Sequence, residues 1–113
     1  QLATLHALNA AQSDDQLDIT LWWQVNRATN TNYVAFVQLL GEDGRVITQS
    51  DQIPAAYTRP TTSWLPGEFI TDLHTLNLPP DLPAGEYRLL VGLYEPVSGE
   101  RLGVVETVFS AER

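Results

Sequence analysis

Between Leu17 and Val25 the chain alternates: Leu17, Ile19, Leu21, Trp23 and Val25 are apolar, while Asp18, Thr20 and Gln24 between them are polar. A period of two is that of a β-strand with one buried face. Trp22 interrupts the polar side and reads as the cover of a sheet edge or as a surface facing a partner. After a polar loop, Tyr33 to Leu40 is apolar on both faces except at Gln38, which suits a central strand covered on both sides. The turn Gly41-Glu42-Asp43-Gly44, whose Asp-Gly pair tolerates positive φ, joins it in a hairpin to Arg45 through Ser50. Asp51 to Gly67 carries Pro54, Pro60 and Pro66 among small polar residues and reads as a long connection.

Extended structure returns from Phe69 to Leu78, where the apolar phase slips between Phe69 or Ile70 and Leu76 or Leu78, so a bulge or a crossing between sheets is expected. The segment Pro79 to Gly85 can be neither helix nor central strand. It leads into the clearest alternation in the chain, Tyr87, Leu89, Val91 and Leu93, and a turn at 96–100 precedes a last strand over Leu102 to Phe109. A short first strand near Thr4 to Leu8 brings the count to about seven, and no long segment has a helical period. These elements predict an all-β fold, an immunoglobulin-like antiparallel β-sandwich, with residues 1–113 as one domain. Tyr87 follows the Gly85 turn and stands two residues before a buried position, the arrangement of a tyrosine corner whose hydroxyl bonds back to the preceding backbone. Trp23 or Phe36 supplies the aromatic core.

Charge narrows the partners. Fourteen acidic residues against six arginines, with no lysine, give a net charge of -8. Such a surface repels phosphate backbones and anionic headgroups, and the arginines fall in separate segments, so nucleic acid is not expected as a partner. Every apolar run is far shorter than the roughly 18 residues of a spanning helix, which argues against membrane insertion by this chain. Without cysteine there is neither disulfide nor thiolate chemistry. The absence of methionine reads as a domain excised from, or processed out of, a longer protein.

Candidate chemistry is sparse. His6 and His74 lack partners at metal-ligand spacing, although His74 and Asp72 share a strand face, and Ser50 and Ser63 sit outside any nucleophile-elbow pattern. No catalytic residue and no cofactor are therefore assigned. Asp43, Asp51, Glu68, Asp72, Asp81 and Glu95 mostly lie at strand ends and loops, where acidic residues ordinarily bond local N–H groups, with one structural calcium ion as the alternative. Ligand binding rests on Trp64, Tyr57, Trp22 and Tyr94, since sugar rings stack on flat aromatic faces in the loops of β-sandwiches. The competing reading makes Trp64 a lid folded over the open edge of the core.

The ordered series Tyr33 to Leu40, Asp43-Gly44-Arg45-Val46, Gln49-Ser50-Asp51, Pro54, Pro60 to Glu68, Asp72, Leu82 to Tyr87 and Val91 to Tyr94 resembles one module. It is similar to the C-terminal β-sandwich of multi-spanning bacterial membrane glycosyltransferases of the dolichyl-phosphate-mannose type, the Chloroflexi kind. The resemblance runs from about Leu17 to Leu102. It implies an accessory domain on the extracytoplasmic face, partnered by the membrane-embedded part of the same protein. It transfers no catalytic residue, because in that family the acidic catalytic residues and lipid-phosphate-sugar site belong to the membrane portion. The sequence thus yields two functional expectations: a non-catalytic accessory or interaction domain, or a carbohydrate-binding module that holds a glycan with loop aromatics.

Overall fold

The computed structural model describes residues 1–112, which form seven strands. They are β1 (Ala3–Ser13), β2 (Gln16–Val25), β3 (Val34–Leu40), β4 (Val46–Gln52), β5 (Phe69–Asn77), β6 (Gly85–Tyr94) and β7 (Arg101–Ala111). Two antiparallel sheets, β1-β2-β5 and β4-β3-β6-β7, face each other, so the all-β sandwich expected from the alternation is the fold. Among the described residues no helix is long and apolar enough to cross a membrane.

The centre of the core is the set of inward positions of the three best-patterned strands. Leu17, Ile19, Leu21 and Trp23 of β2 meet Ala35, Val37 and Leu39 of β3 and Leu89, Val91 and Leu93 of β6, all 0–1% exposed. Trp23 is the aromatic centre. Phe36 is buried too, but its parity puts it on the outer face of the four-stranded sheet, because Ala35 and Val37 on either side of it point inward.

Three elements differ from the sequence reading. β1 runs to Ser13 rather than Leu8, because the weakly patterned Asn9 to Ser13 is held by its ladder with β2, from Asn9↔Thr20 to Ser13↔Gln16. β4 extends to Gln52 through pairing with Ala35. The expected irregularity in β5 is absent: its burial alternates without a break, and its register with β2 is continuous from Gln16↔Asn77 to Gln24↔Phe69. The inward residues are Ile70, Asp72, His74 and Leu76, so the pattern looked interrupted only because two inward positions are polar. Phe69 and Leu73 face solvent.

At one end of the sandwich Tyr87 Oη donates to Pro83 O at 2.6 Å, the corner read from the sequence. At the other end lie the start of β3, the finish of β4 and β6, and the long 53–68 connection. That connection closes over the core through Val25, whose N–H donates to Glu68 O and whose carbonyl accepts from Gly67 N–H, both at 2.8 Å.

Candidate functional site

The long connection is pinned from within. Trp64 is 1% exposed, packs in the main core and donates Nε1–H to Arg59 O at 3.0 Å. It is the lid of the core, and its buried ring offers no stacking face, which corrects its place among the candidate ligand-binding residues. Arg59 braces the same loop through Glu68 (2.8 Å) and Ser63 Oγ (3.2 Å), while Glu68 also accepts from Leu65 N–H at 2.7 Å. The Arg59 hydrogen bond, followed by that of Leu65, holds the Glu68 carboxyl below its ordinary value of 4.5. Thr61 is fully buried; its hydroxyl donates to Thr31 O and accepts from Tyr33 N–H.

Where the edge strands β4 and β5 meet across the sandwich, a polar network replaces hydrophobic closure. Asp72 accepts at Oδ1 from Ala55 N–H (2.8 Å) and Gln52 Nε2 (3.1 Å), and at Oδ2 from Trp23 Nε1 (3.3 Å). His74 Nε2 lies 3.0 Å from the same Oδ2, and His74 Nδ1 lies 2.8 Å from Ser50 Oγ. A carboxylate surrounded by donors assigns the imidazole proton to Nε2, leaving Nδ1 to accept from the Ser50 hydroxyl. By distance this is a serine–histidine–aspartate relay. Its placement is different: the Asp72 and His74 side chains are 0% exposed, and Ser50 shares the inward phase of β4. The network ties β4 and the 53–68 connection to β5 along an edge of the sandwich.

Asp72 also anchors an unusual turn. Ala55, Ala56 and Tyr57 all take left-handed backbone angles, with φ of 59°, 51° and 69°. Each costs a non-glycine residue about 1–2 kcal/mol, and such strain persists where surroundings over-determine it. Here the fixed points are Ala55 N–H on Asp72, Tyr57 N–H on Ile53 O (2.9 Å) and Arg59 N–H on Pro54 O (3.1 Å). The turn presents Tyr57, 67% exposed, with its hydroxyl 3.5 Å from Asp51 O.

Asp51 lies on the outer face of the four-stranded sheet, opposite Phe36 in the ladder. Tyr94 Oη donates to Asp51 Oδ2 at 2.8 Å, and burial together with this carboxylate pushes the Tyr94 hydroxyl above its ordinary value of 10.0. The Phe36 ring lies beneath Arg101, whose guanidinium carbon is 4.7 Å from the ring centroid, with Tyr94 6.0 Å away between centroids. Gly92 makes room for that ring: a Cβ there would sit 2.8 Å from Phe36 Cε2. Phe36, Gln38, Asp51, Tyr94 and Arg101 line a hollow of ≈ 200 Å³.

The four aromatic candidates therefore separate. Tyr57 and Tyr94 converge on Asp51, Trp64 is in the core, and Trp22 is half-buried on the outer face of the other sheet, paired across to Thr71. Trp22 covers no edge, since β2 is the middle strand of its sheet. Asp51, Gln38 and Arg101 carry no signal as a group in the sequence, because they lie on β4, β3 and β7 and meet only through strand pairing. Of the other carboxylates, Asp43 accepts from Arg45 N–H and Glu95 from Ser98 N–H, the local turn roles expected of them. No group of three or more histidine, aspartate or glutamate side chains gathers to hold a metal ion among the described residues.

No protein-family model and no curated protein matches this chain. Solved structures do share its fold. A β-glucuronidase from glycoside hydrolase family 2 aligns with a TM-score of 0.63 and 18% identity over 91% of this chain and 11% of that enzyme. β-Glucosidase 3B from Thermotoga neapolitana, in complex with glycerol, aligns with a TM-score of 0.57 and 18% identity over 98% of this chain and 16% of that enzyme. Chicken MD-1 complexed with lipid IVa gives 0.50 and 16% identity over 94% of this chain and 81% of that one. These likenesses define a β-sandwich, and the chain spans only a small fraction of either glycosidase.

Proposed function

We propose that this chain is a non-catalytic accessory domain of a larger carbohydrate-active enzyme, and that the enzyme is a membrane glycosyltransferase carrying it on the extracytoplasmic face. The observation that carries the reading is the use made of Ser50, His74 and Asp72. Among the described residues, the side chains that stand at the spacing of a catalytic relay are turned inward and spent on closing the sandwich. Two further points support it. Glycosidases contain sandwiches of this shape as minor fractions of their length, and the ordered motifs from Leu17 to Leu102 resemble the glycosyltransferase module. The strand order and the Tyr87 corner also favour placing the sandwich in the immunoglobulin-like group.

Two measurements test the reading. The purified chain, incubated with chromogenic glycosides and with a polyprenyl-phosphate sugar donor, is expected to turn over neither; turnover abolished by His74→Gln would overturn the non-catalytic assignment. Sequence upstream of Gln1 in the natural gene is expected to encode several apolar spans of about 20 residues. A lone secretory leader there would make the chain a secreted binder and remove the membrane parent.

A further inference from the structure

We infer that the outer face of the four-stranded sheet holds a binding site for one ring of a neutral sugar, centred on Asp51 and formed with Gln38, Arg101 and Tyr94, with the exposed Tyr57 next to it in the neighbouring turn. The inference goes beyond the accessory-domain reading, because binding needs no parent enzyme. Its first support is unspent hydrogen-bonding capacity in one small space. Asp51 uses Oδ2 on Tyr94, while Oδ1 has no protein donor among the described residues. Arg101 stacks on Phe36 and makes no ion pair there, so the N–H groups along its edge stay available. The Gln38 amide lies in the same hollow and is likewise without a protein hydrogen bond. An acceptor, an amide and a planar set of donors are what adjacent sugar hydroxyls require, and the partly exposed Tyr94 ring, unlike the covered Phe36, lies among them to meet the apolar side of a pyranose.

The second support is Tyr57. A turn of three consecutive left-handed residues, tied to the buried Asp72, sets an exposed phenol beside Asp51 rather than packing it into the core. Strain of this kind gathers at binding sites. The two tyrosines meet different parts of one residue: Tyr94, from the end of β6, holds the Asp51 carboxylate, and Tyr57, from the long connection, stands 3.5 Å from its backbone carbonyl.

Charge and size select the ligand. Asp51 and Arg101 balance each other, but the chain as a whole carries -8, which disfavours an acidic sugar. The ≈ 200 Å³ hollow is smaller than the roughly 300–1,000 Å³ pockets that enclose larger ligands, so it takes a single ring or a chain end.

The test is a titration of the ¹⁵N-labelled chain with methyl glycosides of glucose, mannose and galactose, and with glucuronate as the acidic comparison, all at millimolar concentration. At least one neutral glycoside is expected to shift the amides of Gln38, Asp51, Tyr94 and Arg101 along saturable curves. Asp51→Ala is expected to bind about tenfold more weakly, as the loss of one charge-assisted hydrogen bond entails. Tyr57→Ala, in an exposed turn, is expected to weaken binding while leaving the remaining spectrum in place. The site is overturned if no neutral glycoside shifts these amides, if binding survives Asp51→Ala undiminished, or if glucuronate binds more tightly than glucose. Any of these outcomes would leave the accessory-domain reading standing, since that reading is decided by turnover.

Discussion

Replacing Asp72 tests the physics of the buried edge most directly. In Asp72→Ala four donors lose their acceptor: Ala55 N–H, Gln52 Nε2, Trp23 Nε1 and His74 Nε2. Gln52 is half-buried and keeps Leu73 O as an acceptor at 2.6 Å, whereas Trp23 and His74 are 0–2% exposed and cannot turn to water. Each orphaned buried donor costs about 1–3 kcal/mol, and the strained turn also loses its anchor at Ala55. A net loss of about 3–5 kcal/mol is expected, comparable to breaking a buried pair from one side. At about 4 °C per kcal/mol for a chain of this size, the melting temperature should fall by roughly 12–20 °C.

Asp72→Asn should be milder for a specific reason. The amide oxygen still accepts from Ala55 and Gln52, and its NH2 group can donate to His74 Nε2 once the imidazole shifts its proton to Nδ1 and donates to Ser50. Only Trp23 Nε1 then lacks an acceptor, a cost of about 1–3 kcal/mol. Urea unfolding followed by tryptophan emission reads both variants, with the slope of the transition expected to be unchanged. An Asp72→Ala protein within about 1 kcal/mol of the parent would refute the structural account of the network. Equal losses for Ala and Asn would refute the tautomer exchange.

Three further outcomes are expected. Gly92→Ala would press a methyl group against Phe36 Cε2 at 2.8 Å, costing about 1–3 kcal/mol of overpacking in denaturant unfolding and displacing the Phe36 and Arg101 amides in the NMR spectrum. Gly85→Val should lower the melting temperature although nothing crowds its Cβ, because φ of +146° is unsuited to a β-branched residue; an unchanged melting temperature would count against strain at that corner. Glu68, lowered by Arg59 and Leu65, adds stability that is in place above pH 4.5 and is lost as pH falls through its folded value. Tyr94, raised by burial and by Asp51, adds stability that is in place below pH 10.0 and is lost as pH climbs through its folded value. Unfolding midpoints measured across pH should accordingly flatten at the acid end in Glu68→Gln and at the alkaline end in Tyr94→Phe.

Much of the fold was legible because a half-buried strand writes its own period. Leu17 to Val25 and Tyr87 to Leu93 announce their inward faces in the residues alone, the Asp43-Gly44 turn sets its hairpin, and Tyr87 after Gly85 marks the corner it makes with Pro83. The site was far less legible. Asp72 and His74 break the apolar rhythm of β5 and so imitate a change of phase, since a polar side chain can face inward only when partners from other segments meet it, and those partners are Ser50, Gln52, Trp23 and Ala55.

The sequence by itself determined the number of strands, the inward faces of β2, β3 and β6, the acidic surface and the supply of loop aromatics. Tertiary structure decided how each of these is used. Pairing across sheets put Trp64 in the core, turned Phe36 outward beneath Arg101, and brought Asp51 and Tyr94, 43 positions apart, within 2.8 Å. The physical reason is that alternation reports which side of its own strand a residue occupies, whereas the residues it will meet depend on strand order and register, which are set by contacts between segments far apart in the chain.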